Sequence, residues 1–152
     1  MKIYIASDHA GFELKTHIVQ YLEENGIEVV DKGPYSFNPD DDYPDWISLA
    51  AEAVSKDSQH AKAIVIGLSG QGEALVANKF KGVRSGVYYG GHEEIVKLLR
   101  EHNNANVLSL GAKFISKHEA ERAVDIFIEN QFTGEERHVR RLQKLEVIDS
   151  KR

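Results

Sequence analysis

Two rhythms alternate along the chain. Short, β-branched runs at residues 2–7, 28–31, 63–66, 84–88 and 105–110 read as strands, and between them apolar residues recur at intervals of three and four. The clearest helical stretch is 11–24, with Phe12, Leu14, Ile18, Tyr21 and Leu22 on one side; 45–55, 74–79, 93–101 and 117–129 follow the same spacing. Strands separated by helices of this length predict right-handed crossovers, hence an α/β fold with a five-stranded parallel sheet and helices on both faces. Ligands of such sheets sit beyond the carboxyl ends of the strands. A loop rich in Pro, Asn and Asp spans 33–44. An extra C-terminal helix is predicted over 135–146, with Val139, Leu142 and Leu145 on a packing side and Arg137 and Arg141, four apart, on another.

Composition narrows the function more than the fold. The 152 residues fit one domain, 1–152, without repeats or linkers. No apolar run approaches the ~20 residues of a membrane span, and the N-terminus enters a strand pattern without a signal-peptide core, so a cytoplasmic location is expected. The absence of Cys removes thiolate chemistry, and a net charge of −5 argues against bulk nucleic-acid binding. Affinity for an anion must then come from a local cluster of cations. Arg137 and Arg141 are candidates for a phosphate clamp; the alternative is a solvated basic face paired with Glu135 or Glu136.

The stretch Gly67-Leu-Ser-Gly-Gln-Gly-Glu73 carries the most chemistry. It joins an apolar strand to a helix, so its glycines let a ligand approach the main chain while Glu73 sets a base beside the cradle. The spacing G-x-x-G-x-G matches neither the dinucleotide fingerprint nor the phosphate loop of ATPases, and tight packing of helix on sheet would account for the glycines equally well. Asp8-His9 closes the first strand, where Asp8 is either functional or a helix cap. His102-Asn103 is read as a loop before the fifth strand, facing the same sheet edge or near it. None of the seven His has the spacing of a zinc site, and no metal is expected. Asp40-Asp41-Asp42 reads as a solvated loop whose neighbours Tyr43-Pro44 could rim a pocket, and Trp46 as helix core.

Taken together, Ala6-Ser-Asp-His-Ala-Gly11, Asp42-Tyr-Pro44, Gly67-x-Ser-Gly-x-Gly-Glu73, Ala77-Asn-Lys79, Gly82-Val-Arg84, His102-Asn-x-x-Asn-Val107 and Arg137-His-x-x-Arg141 resemble the ribose-5-phosphate isomerase B family, which also holds the galactose-6-phosphate isomerase subunits. The match runs in order through nearly the whole chain. It implies Rossmann-like subunits, a three-layer sandwich, paired in a homodimer or a tetramer with active sites at the subunit interface. It also implies no cofactor, no nucleic acid and no membrane among the partners, only a small sugar phosphate. On that pattern Glu73 is the proton-transferring base and His102 opens the sugar ring. Asp8, His9, Tyr43, the loop Leu68, Ser69, Gly70, Gln71 and Gly72, and Asn103 hold the substrate, and Arg137 and Arg141 clamp its phosphate beside residue 113. Two departures stand out. Many members carry the base as Cys at the position of Gly67, whereas this chain is similar to the subgroup that uses Glu four beyond a Ser. That subgroup usually has Arg where Lys113 stands, and Lys keeps the charge but loses the bidentate fork.

Interconverting an aldose and a ketose phosphate needs one base to move a proton between adjacent carbons through a cis-enediolate, without metal or redox group. The loop N–H groups and the Ser69 hydroxyl are placed to stabilise the enediolate oxygen. Two rivals remain at this stage. One is an isomerase of another sugar phosphate (allose 6-phosphate, galactose 6-phosphate or a tetrose phosphate) using the same residues. The other is a non-catalytic sugar-phosphate sensor, which would need neither Glu73 nor His102.

Overall fold

The computed structural model describes residues 1–152. The chain alternates as expected: β1 Lys2–Ser7, α1 Phe12–Glu24, β2 Glu28–Asp31, α2 Tyr43–Lys56, β3 Lys62–Gly67, α3 Gln71–Ala77, β4 Ser85–Tyr88, α4 Glu94–Asn103, β5 Val107–Gly111, α5 Lys117–Glu129 and α6 Glu136–Asp149. All strand pairs are parallel, in the order β2-β1-β3-β5-β4.

Alternation within the strands builds the layers. Ile3, Ile5, Ile64, Ile66, Leu108 and Leu110 face one core, closed by Leu14, Ile18 and Leu22 of α1, Val96 of α4, and Val124 and Phe127 of α5. Ala6, Ala63, Val65 and Val107 face the other, closed by Ile47, Ala50, Ala51 and Val54 of α2 and Ala77 of α3. Because side chains of successive strand residues point to opposite faces, a strand buried on both sides must be apolar throughout, as residues 63–66 are. The second core holds 10 buried residues against 17 in the first. Its outer helices also leave Leu49 and Leu75 in solvent, at 42% and 67% exposure.

Helix ends differ from the sequence reading where local chemistry outweighs periodicity. α2 begins at Tyr43 rather than 45 because Pro44 is preorganised for a first helical turn, whereas α5 spans 117–129 as expected, opened by a Ser116–Glu119 capping box. α3 begins at Gln71 rather than 74, since Gly70 adopts the left-handed conformation (φ 78°) that turns the chain directly into the helix. α6 runs to Asp149, but only His138 on it is buried; Leu145, Val147 and Ile148 are about half exposed or more. The expected packing side therefore finds no surface within its own chain beyond a half-buried Val139 and Leu142.

Chain order fixes where the crevice lies. The connection after β1 leads outward to β2, and that after β3 crosses β5 to reach β4 at the opposite edge. The carboxyl ends of β1 and β3 thus flank the switch point at which a ligand can enter between diverging connections.

Candidate active site

The loop after β3 is held from below by β5. The Ser109 hydroxyl donates to the Gly70 carbonyl at 2.6 Å, and the main-chain N–H groups of Ala112 and Lys113 donate to the carbonyls of Gly67 (2.8 Å) and Leu68 (3.1 Å). These bonds fix Leu68, Ser69 and Gly70 against the sheet and bring Lys113, exposed beside the Phe114 ring, to the same edge. The N–H of Gln71 donates to the Ser69 hydroxyl, and the Tyr43 ring lies against Gly72. Tyr43 thus meets the loop from α2.

Glu73 sits at the third position of α3 with 4% of its surface exposed. Its carboxylate presses on the main chain of Gly67, where any Cβ would lie 1.9 Å from Oε1. Burial pushes its pKa up; the N–H groups of Glu73 itself and of Gly70 pull it down, and Asp8 raises it further. A buried carboxyl with a raised pKa beside a fixed row of N–H groups is suited to taking up a proton.

Across the crevice, Asp8 is 7% exposed and accepts from the N–H of Gly11 at 3.1 Å, which braces the turn before α1; Gly11 itself is the N-cap and no side chain caps the helix. His9 is gripped by Asp41. The Asp41 Oδ1 accepts from the His9 main-chain N–H at 2.9 Å and lies 2.7 Å from its Nδ1. Asp41 is not a solvated loop residue: its side chain is only 6% exposed, and Oδ2 is buried without a partner. Nothing in the spacing marks this contact, which joins residues 32 apart. Asp8, His9 and Asp41 place one donor atom each within 4.8 Å of one another, although no zinc-like spacing relates them. Trp46, read as core, is half-buried with its indole N–H unpaired.

The second set of predicted residues lies elsewhere. His102 and Asn103 belong to the last turn of α4, not to a loop, and Asn104 (φ 45°) ends the helix behind them. A segment that leads into a parallel strand must stand at that strand's amino end, so both residues lie at the sheet edge opposite Glu73, not at the same one. The five residues of β5 put about 16 Å between the two edges. The His102 ring stacks on His138 of α6 with centroids 4.2 Å apart. Arg137 and Arg141 are one helical turn apart on the same helix. Arg137 pairs with Glu135 at 3.2 Å across an exposed surface, and Arg141 makes no ion pair within the chain.

His138 is the residue that pattern reading missed. It is 4% exposed, its Nε2 has no hydrogen-bond partner, and burial followed by the neighbouring His102 lowers its pKa. The signal was available: 138, 142 and 145 share one helical face. A cleft of about 530 Å³ opens between α6, the end of α2 at Ser55 and the loop around Arg84, away from Glu73.

The chain as a whole has counterparts among known proteins. The Ribose/Galactose Isomerase family profile matches residues 3–145. Ribose-5-phosphate isomerase B of Mycolicibacterium paratuberculosis is 39% identical over 145 residues, covering 95% of this chain and 89% of that protein. The protein of that name from Escherichia coli is 36% identical over 151 residues, 99% of this chain and 98% of its own. The crystal structure of ribose-5-phosphate isomerase B from Mycoplasma genitalium with bound ribulose-5-phosphate superposes with a TM-score of 0.94 at 39% identity, covering 99% and 97% of the two chains. No helix of this chain is long and apolar enough to cross a membrane. With near-complete coverage in both directions, the chain belongs to the ribose/galactose isomerase family and is an isomerase.

Proposed function

We propose that the protein interconverts ribose 5-phosphate and ribulose 5-phosphate, with Glu73 moving the proton between the two carbons. The observation that carries this reading is the buried Glu73 carboxyl pressed on Gly67 at the sheet's switch point, with the N–H groups of Gly70 and Glu73 beside it. In the proposed reaction Glu73 takes a proton from the carbon next to the carbonyl and electrons move onto the carbonyl oxygen; the proton of the adjacent hydroxyl passes to that oxygen, and the same carboxyl returns its proton to the former carbonyl carbon as the new carbonyl forms. The negative oxygen of the cis-enediolate is stabilised by the loop donors. His102 moves the proton that opens the ring, Asp8 and Asn103 orient the sugar hydroxyls, and His9, Lys113, Arg137 and Arg141 hold the phosphate.

One chain separates these roles by the thickness of its sheet. Glu73, Asp8, His9 and Lys113 occupy the carboxyl edge, whereas His102, Asn103, Arg137 and Arg141 occupy the amino edge. A sugar phosphate cannot touch both across about 16 Å of β5. We infer a homodimer in which the carboxyl edge of one subunit meets His102 and Arg141 of the partner subunit, so that a twofold axis completes two sites at once. Exposed Leu75 on α3 and Leu145, Val147 and Ile148 on α6 supply apolar surface for such a contact.

Assayed for aldose–ketose interconversion, ribose 5-phosphate is expected to exceed allose 6-phosphate, galactose 6-phosphate and a tetrose phosphate in kcat/KM by about tenfold or more, a difference of ~1.4 kcal/mol. Faster turnover of a hexose phosphate would reassign the substrate; tight binding without turnover would make the protein a sensor.

A second expectation concerns Gly67. A methyl group added there would overlap the Glu73 carboxyl, with Cδ at 2.1 Å. Gly67→Ala should therefore lower kcat about 10²-fold by displacing the base, while phosphate affinity holds. An Ala variant with near-normal kcat would show that the carboxyl need not sit against residue 67.

A further inference from the structure

We propose that Asp41 is a positioning residue: its buried carboxylate grips His9 at both the main-chain N–H and ring Nδ1, so that the Nε2 edge is offered to the substrate's phosphate. The inference rests on the reading above, in which His9 binds that phosphate.

The geometry leaves the imidazole little choice. Asp41 Oδ1 accepts from the His9 main-chain N–H at 2.9 Å and sits 2.7 Å from Nδ1, which fixes the proton on Nδ1. Asp41 itself is 6% exposed, and His9 retains 37% exposure for contact with a ligand. The far nitrogen therefore decides what the ring can do. With both nitrogens protonated, Nε2–H donates to a phosphate oxygen and the ring carries a positive charge. With only Nδ1 protonated, Nε2 is an acceptor facing an anion, which repels it.

Surrounding charge favours the first state. Asp41, from the 33–44 loop, raises the pKa of His9 chiefly through the side-chain hydrogen bond; partial desolvation opposes it, and Asp8 at the end of β1 adds to the rise. Asp8 also acts on Glu73 of α3, whose pKa it raises. The loop that supplies Asp41 is anchored at its start by Lys15. This lysine is 2% exposed, with Nζ at 2.7 and 2.8 Å from the two Asp31 oxygens and 2.7 Å from the Pro34 carbonyl. The long loop is thus tied down at one end by the buried Lys15 and at the other by His9.

The test is Asp41→Asn, which keeps an acceptor for both bonds and removes the charge. In the full-length protein, NMR titration of the His9 ring should show its midpoint moving down. Above neutral pH, KM for ribose 5-phosphate and the inhibition constant of inorganic phosphate should both rise about tenfold, with kcat within twofold of the parent, as expected for loss of one charge-assisted bond. Asp41→Glu, which restores the charge, should recover part of that loss. Two results would overturn the proposal, and they separate it from the reading beneath it. An unchanged His9 midpoint in Asp41→Asn removes the coupling itself. A lowered midpoint with unaltered phosphate inhibition, in both Asp41→Asn and His9→Gln, keeps the coupling but removes His9 from the phosphate.

Discussion

Replacing Glu73 by Gln is expected to lower kcat for ribose 5-phosphate by ~10²–10⁴, the range that a positioned general base supplies. Gln preserves the shape that fills the space against Gly67, so the crevice should stay intact and KM should change little. Exchange of substrate hydrogen with heavy water should disappear together with turnover; persistence of exchange in the variant would mean that another group is the base. The pH profile gives an independent check. Because burial raises the Glu73 pKa, the acid limb of kcat/KM should lie above the ordinary carboxylate range, with activity lost as pH falls through it. The same shift has a sign for stability. The folded chain holds this proton more tightly than the unfolded one, so stability is lost as pH rises from the unfolded pKa through the folded one. Above that window Glu73→Gln should melt higher than the parent, and below it the two should converge. Equal melting temperatures at both pH values would mean that the ionised carboxylate carries no desolvation penalty in the fold.

The second large effect is a recovery of activity. Glu73→Gln damages only the carboxyl-edge half of a site, and a His102→Asn, Arg141→Ala double variant damages only the amino-edge half. Each homodimer should be almost inactive. Refolded together in equal amounts, half of the dimers are mixed, and each mixed dimer has one undamaged site, so activity should return to about a quarter of the parent value. A site built within one subunit allows no such recovery. Failure to regain activity despite proven subunit exchange would therefore count against the shared site, while leaving Glu73 as the base untouched.

Periodicity made the layers legible. The apolar run at 63–66 and the spacing of Leu14, Ile18 and Leu22 carry their own explanation, because a doubly buried strand and a one-sided helix need those patterns. Glu73 was legible too, since a carboxyl following a glycine turn at the end of a strand is a local arrangement. His102 was recognised by its motif and misplaced by its surroundings: its helix continues through Asn103, and only the direction of travel into β5 reveals which sheet edge it occupies. Asp41 was beyond reach, since its partner is 32 positions away and its neighbours Asp40 and Asp42 give the segment the polarity of an ordinary loop. Leu145 followed helical spacing faithfully, yet spacing tells only that a residue seeks cover, not which chain provides it.

The overlap between residue 67 and the Glu73 carboxyl bears on how relatives diverge. A reactive thiol at 67, as in many members of the family that this chain resembles, and an acid at 73 in its present pose claim one volume. A lineage that carries both must therefore seat its acid in another pose. Passage between the two chemistries has to cross an ancestor with neither group in place, or one whose acid first swings aside, and grafting a thiol here by design would need residue 73 trimmed in the same step.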